Sequence, residues 1–286
     1  MIDNNPRRRL LPFTLTWSLL YLISIWLTWR RDIPPEIGMY AILCIGIPLT
    51  LLVALEWSSK IPDRKTALIV VSASAVWWLV SAMLVRSELS WRVWHTVNSV
   101  MLLVGTYTLG NWLAGELEKV GHLIPVCILG TVVDVWSVLQ GPSKSVGEQV
   151  VEHTQSQVAT GAWHPPPFLG FMILSWPQPG EGYMTPLFGF GDLVFIAIFL
   201  AASRRFGLSV WKAFFLVLGG LAMSIGLVMT IEQPVPALPF ICGLFLIGNW
   251  RKLSLSKNEW KLTLTLAGVI VIVGLTNWLK AVILVD

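Results

Sequence analysis

Nine stretches of this chain are almost wholly apolar, at residues 10–29, 37–56, 66–85, 93–114, 120–140, 187–203, 209–231, 235–250 and 262–283. A helix needs about 20 such residues to cross the hydrocarbon of a bilayer. The pattern therefore predicts about nine transmembrane helices. The eighth run is short and opens on prolines. Arg7, Arg8 and Arg9 precede the first run with no small-residue cleavage site after them, which reads as an uncleaved first helix rather than a signal peptide.

One connection breaks the pattern. Residues 141–186 form a long polar-leaning segment, and a loop of that length is more often functional than idle. Ser145-Val-Gly-Glu148 offers a capping box ahead of Val150, Val151, Thr154 and Val158, predicting a short amphipathic helix that Pro165, Pro166 and Pro167 stop. The apolar stretch Phe168–Trp176 is too short to span. Within it, Phe171–Ser175, containing Met172, Ile173 and Leu174, has the length of one strand, with Pro177 expected to end the ladder. The expected fold class is an all-α polytopic membrane protein of about nine transmembrane helices, with a short β element possible in the long loop.

Composition strengthens this reading. Hydrophobic residues are 55% of the 286 and charged residues 13%, with a mean hydropathy of +0.70. That is about half the charged fraction of a soluble domain, too little to build a water-facing surface. The net charge of +4 is dispersed in short clusters between apolar runs. Such clusters suit lipid headgroups and leave no continuous basic stripe for nucleic acid. Among the 16 tryptophans, Trp26, Trp29, Trp57, Trp94, Trp112, Trp250 and Trp278 lie near run ends, as interfacial belt residues do. Cys44, Cys127 and Cys242 lie inside apolar runs without metal-ligand spacing and read as buried, inert thiols. No metal, nucleotide or covalent cofactor is suggested.

With nine spans, one side collects Arg7, Arg8, Arg9, Lys60, Arg64, Lys65, Lys119, Arg204, Arg205, Lys212, Arg251, Lys252, Lys257 and Lys261, and the other Arg30, Arg31, Arg86, Arg92, Lys144 and Lys280, or 14 against 6. The positive-inside bias then puts the N-terminus in the cytoplasm and the long loop on the opposite side.

Two acidic residues inside apolar runs carry the candidate chemistry. Asp134 lies in the fifth run and Asp192 in the sixth, within Gly189-Phe190-Gly191-Asp192. A carboxylate in a span costs a few kcal/mol and marks a functional site by default. The bland alternative for one such residue is a hydrogen bond between helices. Counting along helices puts Asp134 about 9 Å and Asp192 about 7.5 Å from the surface that bears the long loop, so the two are expected at similar depth. Carboxyls at contact distance share one proton, which leaves an acid and a base, the equipment for activating water. Gly189 and Gly191 permit a helix start or break and close backbone approach. Pro234-Val-Pro236-Ala237-Leu238-Pro239 then opens the eighth run, where missing N–H groups are tolerated only beside protein or water.

An aspartate in one helix, GxGD in the next and PAL two helices later resemble the presenilin and signal peptide peptidase superfamily, in a microbial-type, single-chain form. Asp134, Gly189–Asp192 and Pro236-Ala237-Leu238 match these motifs in order, over about residues 120–250. The resemblance implies an intramembrane aspartyl endopeptidase that cleaves single-pass transmembrane proteins or signal peptides. Asp134 and Asp192 would be its catalytic dyad, and Pro236–Pro239 would shape the active site and substrate groove. The chain departs from the family at Val133, where Tyr is usual, and at Phe190, where Leu is usual. Five runs rather than six precede the long loop, and a ninth follows PAL.

The implied organisation is an N-terminal scaffold at 1–119, a catalytic core at 120–250 and an additional helix at 251–286. Met172, Ile173 and Leu174 are expected to form a strand edge that an unwound substrate joins, the alternative being a hydrophobic plug that seals the loop against the bilayer. Asn98, Asn111 and Asn277 read as interhelical glue, and the Gly220/Ser224 and Ala222/Gly226 pairs as close-packing sites. Two other functions fit paired intramembrane aspartates: a transporter with proton or cation sites among broken helices, and a prepilin-peptidase-like GxGD protease.

Overall fold

The structure, a computed structural model, describes residues 12–28, 30, 33–59, 61–84, 88–139, 149, 170, 172–179, 184–231 and 233–283. Helices α1 (Pro12–Leu27), α2 (Pro35–Ala41), α3 (Ile47–Trp57), α4 (Arg64–Leu84), α5 (Glu88–Glu116) and α6 (Leu123–Leu139) come first. Strands β1 (Ile173–Pro177) and β2 (Met184–Gly189) follow, and then α7 (Phe190–Arg205), α8 (Val210–Ile231), α9 (Leu238–Asn249) and α10 (Lys257–Ile283). A π-helical turn at Ile42–Gly46 joins α2 to α3. Helix thus occupies each of the nine apolar runs. Among the described residues, three stretches, Glu36–Trp57, Val120–Val138 and Val210–Ile231, are long and apolar enough to cross a membrane. The expected amphipathic helix at 145–158 and the prolines at 165–167 lie outside the described residues, apart from Gln149.

The chain divides into two compact units that interleave along the sequence. One contains Met1–Glu116 and Phe168–Val210, the other Leu117–Pro167 and Trp211–Asp286. Residues 120–250 contribute to both.

In the first unit α7 is the central helix. Leu193, Val194 and Ile196–Ser203 are all buried, the mark of a helix surrounded by protein. Its main neighbour is α5, which approaches through Gly110: a Cβ built there would lie 2.5 Å from Ala197 Cβ and 2.6 Å from the Val194 carbonyl oxygen. At the C-terminal end of α7, Arg204 donates from Nε to Ser58 Oγ (2.7 Å) and from Nη2 to the Leu55 carbonyl (3.0 Å). Arg205 donates to the Ala114 carbonyl at 2.9 Å. Carbonyls at the C-terminal ends of α3 and α5 thereby gain cationic donors, the Leu55 carbonyl also accepting from Ser58 Oγ. Asn111 donates to the Trp57 carbonyl (2.9 Å), joining α5 to α3.

In the second unit α6 packs against α9 and α10. Helix α8 meets α9 at Gly220, where a Cβ would fall 2.6 Å from Ile241 Cα. Ser224 is buried one turn on, whereas Ala222 and Gly226 are exposed, so only the first small-residue pair packs. The N-terminus of α10 is closed by Ser256 and Glu259: the Ser256 N–H donates to Glu259 Oε2 at 2.7 Å, and Lys119 pairs with Glu259 Oε1 at 2.6 Å.

Three expectations need correction. The sixth apolar run does not begin as helix, because 187–189 belong to β2 and the helix starts at Phe190. The strand in the long loop lies two residues later than expected and includes Pro177, opposite Met184. A terminal residue contributes little to the ladder, so its missing N–H is tolerated there. Cys127 and Cys242 are buried, but Cys44 is exposed on the π-helical turn.

Candidate active site

In the first unit the candidate acid stands at a strand-to-helix junction. Strands β1 and β2 pair antiparallel, with Ile173 opposite Gly189 and Leu174 opposite Phe188. The register slips between Leu174 and Ser175, so Ser175 faces Pro186 and Leu187 is the extra residue. A bulge beside a proline is where a ladder accommodates a missing donor. Leu174 and Phe188 are both buried. The chain then turns into α7 at Gly189, whose backbone is extended (φ −71°, ψ 160°).

Asp192, in the first turn of α7, accepts the Gly189 N–H at 3.1 Å through Oδ2. This one-way cap satisfies a donor at the helix start and places a carboxylate at the positive end of the helix dipole. The depth expected from counting helical residues does not apply to Asp192, because the strand replaces that part of the helix. Neither glycine of the motif has a positive φ. A Cβ at Gly189 would sit 3.5 Å from Asp192 Oδ2, and one at Gly191 would meet nothing within 4 Å. Among the described residues, Gly191 thus faces open space rather than relieving strain. Phe190 packs edge-on against Trp78 of α4, ring centroids 5.6 Å apart.

In the second unit Asp134 projects from α6 onto the start of α9. Its Oδ2 accepts the Leu238 N–H at 3.0 Å. Ala237 is the N-cap, Leu238 the first helical residue and Pro239 the second, and the Phe240 and Ile241 N–H groups both donate to the Ala237 carbonyl at 3.2 Å. Proline leaves one position of this first turn without a donor. The remaining outward donor, at Leu238, goes to the aspartate. The first aspartate and the PAL motif, 104 residues apart, therefore meet through a backbone hydrogen bond.

Within the first unit, then, Ile173 and Leu174 of the expected substrate strand join Phe190, Gly191 and Asp192 through β2, and Met172 directly precedes β1. Within the second, Asp134 accepts from the Leu238 N–H of the Pro236–Pro239 segment. Comparison with models of protein families, with characterised proteins and with solved structures gives no match to this chain. The site is read from its own residues.

Sequence reasoning missed several residues that hold the hairpin. Trp176 of β1 sits edge-on to Trp17 and Tyr21 of α1 (centroids 5.7 and 5.3 Å) and donates from Nε1 to Ser24 Oγ at 3.1 Å. Tyr21 and Ser99, both buried, hydrogen-bond each other at 3.1 Å, and Tyr21 also donates to the Ser175 carbonyl at 3.2 Å. Tyrosine is scarce in this chain, with four in all, so one in the middle of an apolar run was the available signal. Among the described residues no cluster of His, Cys, Asp or Glu could hold a metal ion.

Proposed function

We propose that this chain is an intramembrane aspartyl endopeptidase of the presenilin and signal peptide peptidase type. Its nine helical segments cross the bilayer with the N-terminus in the cytoplasm, and the hairpin-bearing loop lies on the opposite side. Asp134 and Asp192 act together: one carboxylate takes a proton from water as it attacks the scissile carbonyl, and the other, protonated, delivers a proton to the leaving amine. The observation that carries the reading is the hydrogen bond from the Leu238 N–H to Asp134. It joins two motifs that composition alone gives no reason to meet. The β1–β2 hairpin leading into Asp192 adds support, because a substrate helix must unwind before its backbone can be attacked, and in lipid its freed groups need partners at once. Strand addition to that hairpin supplies them. Gly191 keeps the space beside Asp192 open.

The test is mass spectrometry of single-pass helices incubated with the purified protein. Wild type should release two fragments per cut helix, and Asp134→Asn and Asp192→Asn should each abolish release while folding is retained. Substantial turnover by either variant would sink the dyad. Solute uptake into proteoliposomes without fragment release would establish the transporter instead.

A further inference from the structure

A chain of buried polar side chains runs from α5 through α1 to the hairpin. His95 Nδ1 lies 3.1 Å from Ser99 Oγ, Ser99 Oγ lies 3.1 Å from the Tyr21 hydroxyl, and Tyr21 lies 3.2 Å from the Ser175 carbonyl. His95, Ser99, Tyr21 and Ser175 are each at most 6% exposed. Counting protons fixes the direction. The carbonyl can only accept, so the single phenolic proton of Tyr21 goes to Ser175. The contact between Tyr21 and Ser99 then needs the serine proton, which leaves the Ser99 oxygen to accept from His95. Only one assignment puts a proton in all three bonds: His95 Nδ1–H to Ser99, Ser99 to Tyr21, and Tyr21 to the Ser175 backbone. In the neutral ring, Nε2 is then the acceptor.

The chain ends next to the register slip of the hairpin. Ser175 faces Pro186, which has no N–H to offer. A β1 carbonyl opposite a proline is tied instead to α1 by a phenol whose orientation α5 dictates. We propose that His95, in its Nδ1–H form, is a positioning residue that fixes β1, and through it the entry to Asp192, by way of Ser99 and Tyr21. The effect on cleavage rests on the proposed protease reading; the effect on the hairpin does not.

The experiment exploits the tautomer. Asparagine places an amide N–H where Nδ1 stands, whereas glutamine places it where Nε2 stands, and both remove the imidazole. Full-length wild type, His95→Asn, His95→Gln and Tyr21→Phe in nanodiscs are compared by hydrogen exchange of the peptide covering 173–189. His95→Gln and Tyr21→Phe should exchange about tenfold faster there, as expected for one lost hydrogen bond, and His95→Asn should stay within about threefold of wild type. If His95→Gln does not fold, Ser99→Ala breaks the same chain and should match Tyr21→Phe. Equal exchange in the two His95 variants, or wild-type exchange in Tyr21→Phe, overturns the proposal. On a cleaved substrate, kcat/KM should fall in the same order as hairpin protection. Normal protection ordering with no cleavage by wild type would refute the protease reading and leave the positioning role standing.

Discussion

Gly110→Ala tests whether α7 is held where the packing puts it. The added Cβ would lie 2.5 Å from Ala197 Cβ, 2.6 Å from the Val194 oxygen and 3.2 Å from the Ile198 nitrogen. Carbon atoms in contact sit about 3.5–4.0 Å apart, so α5 and α7 must separate by about 1 Å or more. Two terms oppose each other. Replacing a mid-helix glycine by alanine favours the helix by about 1 kcal/mol. Overpacking costs about 1–3 kcal/mol, and the upper end applies because these neighbours move only with the helix. The net expectation is a loss of about 1–2 kcal/mol, or a Tm lower by about 2–8 °C. The control is Gly226→Ala in α8, where a Cβ would meet nothing within 4 Å and only the propensity gain remains. Thermal unfolding of both variants in one detergent decides the matter. If Gly110→Ala is as stable as Gly226→Ala, α5 and α7 do not touch as described. Val194 follows Asp192 by two residues, so under the proposed protease reading Gly110→Ala should also lose fragment release at temperatures where it is still folded.

Further outcomes follow from the same residues. The Glu259 carboxyl is pushed down to about 2, first by Lys119 and then by Ser256. A depressed carboxylate stabilises the fold above its unfolded value and loses that contribution as pH falls through the folded one. Wild type should therefore exceed Glu259→Gln in Tm at neutral pH, with the gap closing between pH 4.5 and about 2; a gap independent of pH would refute the pairing. If the dyad shares a proton, the rate of fragment release should be bell-shaped in pH, with apparent values belonging to the pair, and a flat profile would count against it. Ser156→Cys, on a background lacking the native cysteines, should be labelled only from the non-cytoplasmic side. Under the same protease reading, active preparations should run as an uncut chain on denaturing gels; activity confined to preparations split in the long loop would show otherwise.

Helix positions were legible because uninterrupted apolar runs of this length have few alternatives to helix, so each run announces itself. Their ends were less so. Leu187 and Phe188 are as apolar as any helical residue, and nothing local separates a buried strand from the start of a span. The hairpin was half visible. Residues 174–177 are buried in succession, so β1 shows no polar alternation, and its partner is screened by Pro186, which argues against a strand. The motifs around Asp134, Asp192 and Leu238 could be read in order, but the bond from Leu238 to Asp134 could not, since it depends on where a helix begins 104 residues away. The His95–Ser99–Tyr21 chain was invisible for a similar reason. Polar side chains scattered in apolar runs look like interhelical glue until three of them align.

The interleaving of the two units has a consequence for synthesis and for damage. Tyr21 waits for a partner made 154 residues later, so the first unit stays unfinished at the ribosome when α6 has already been made. No stretch of chain that stops before Phe168 contains either unit whole. Conversely, a nick between 141 and 167 would leave each unit built from both pieces: 1–116 with 168–210 in one, and 117–140 with 211–286 in the other. The halves would part on a denaturing gel yet travel together through a native column, held by packing rather than by the peptide bond between them.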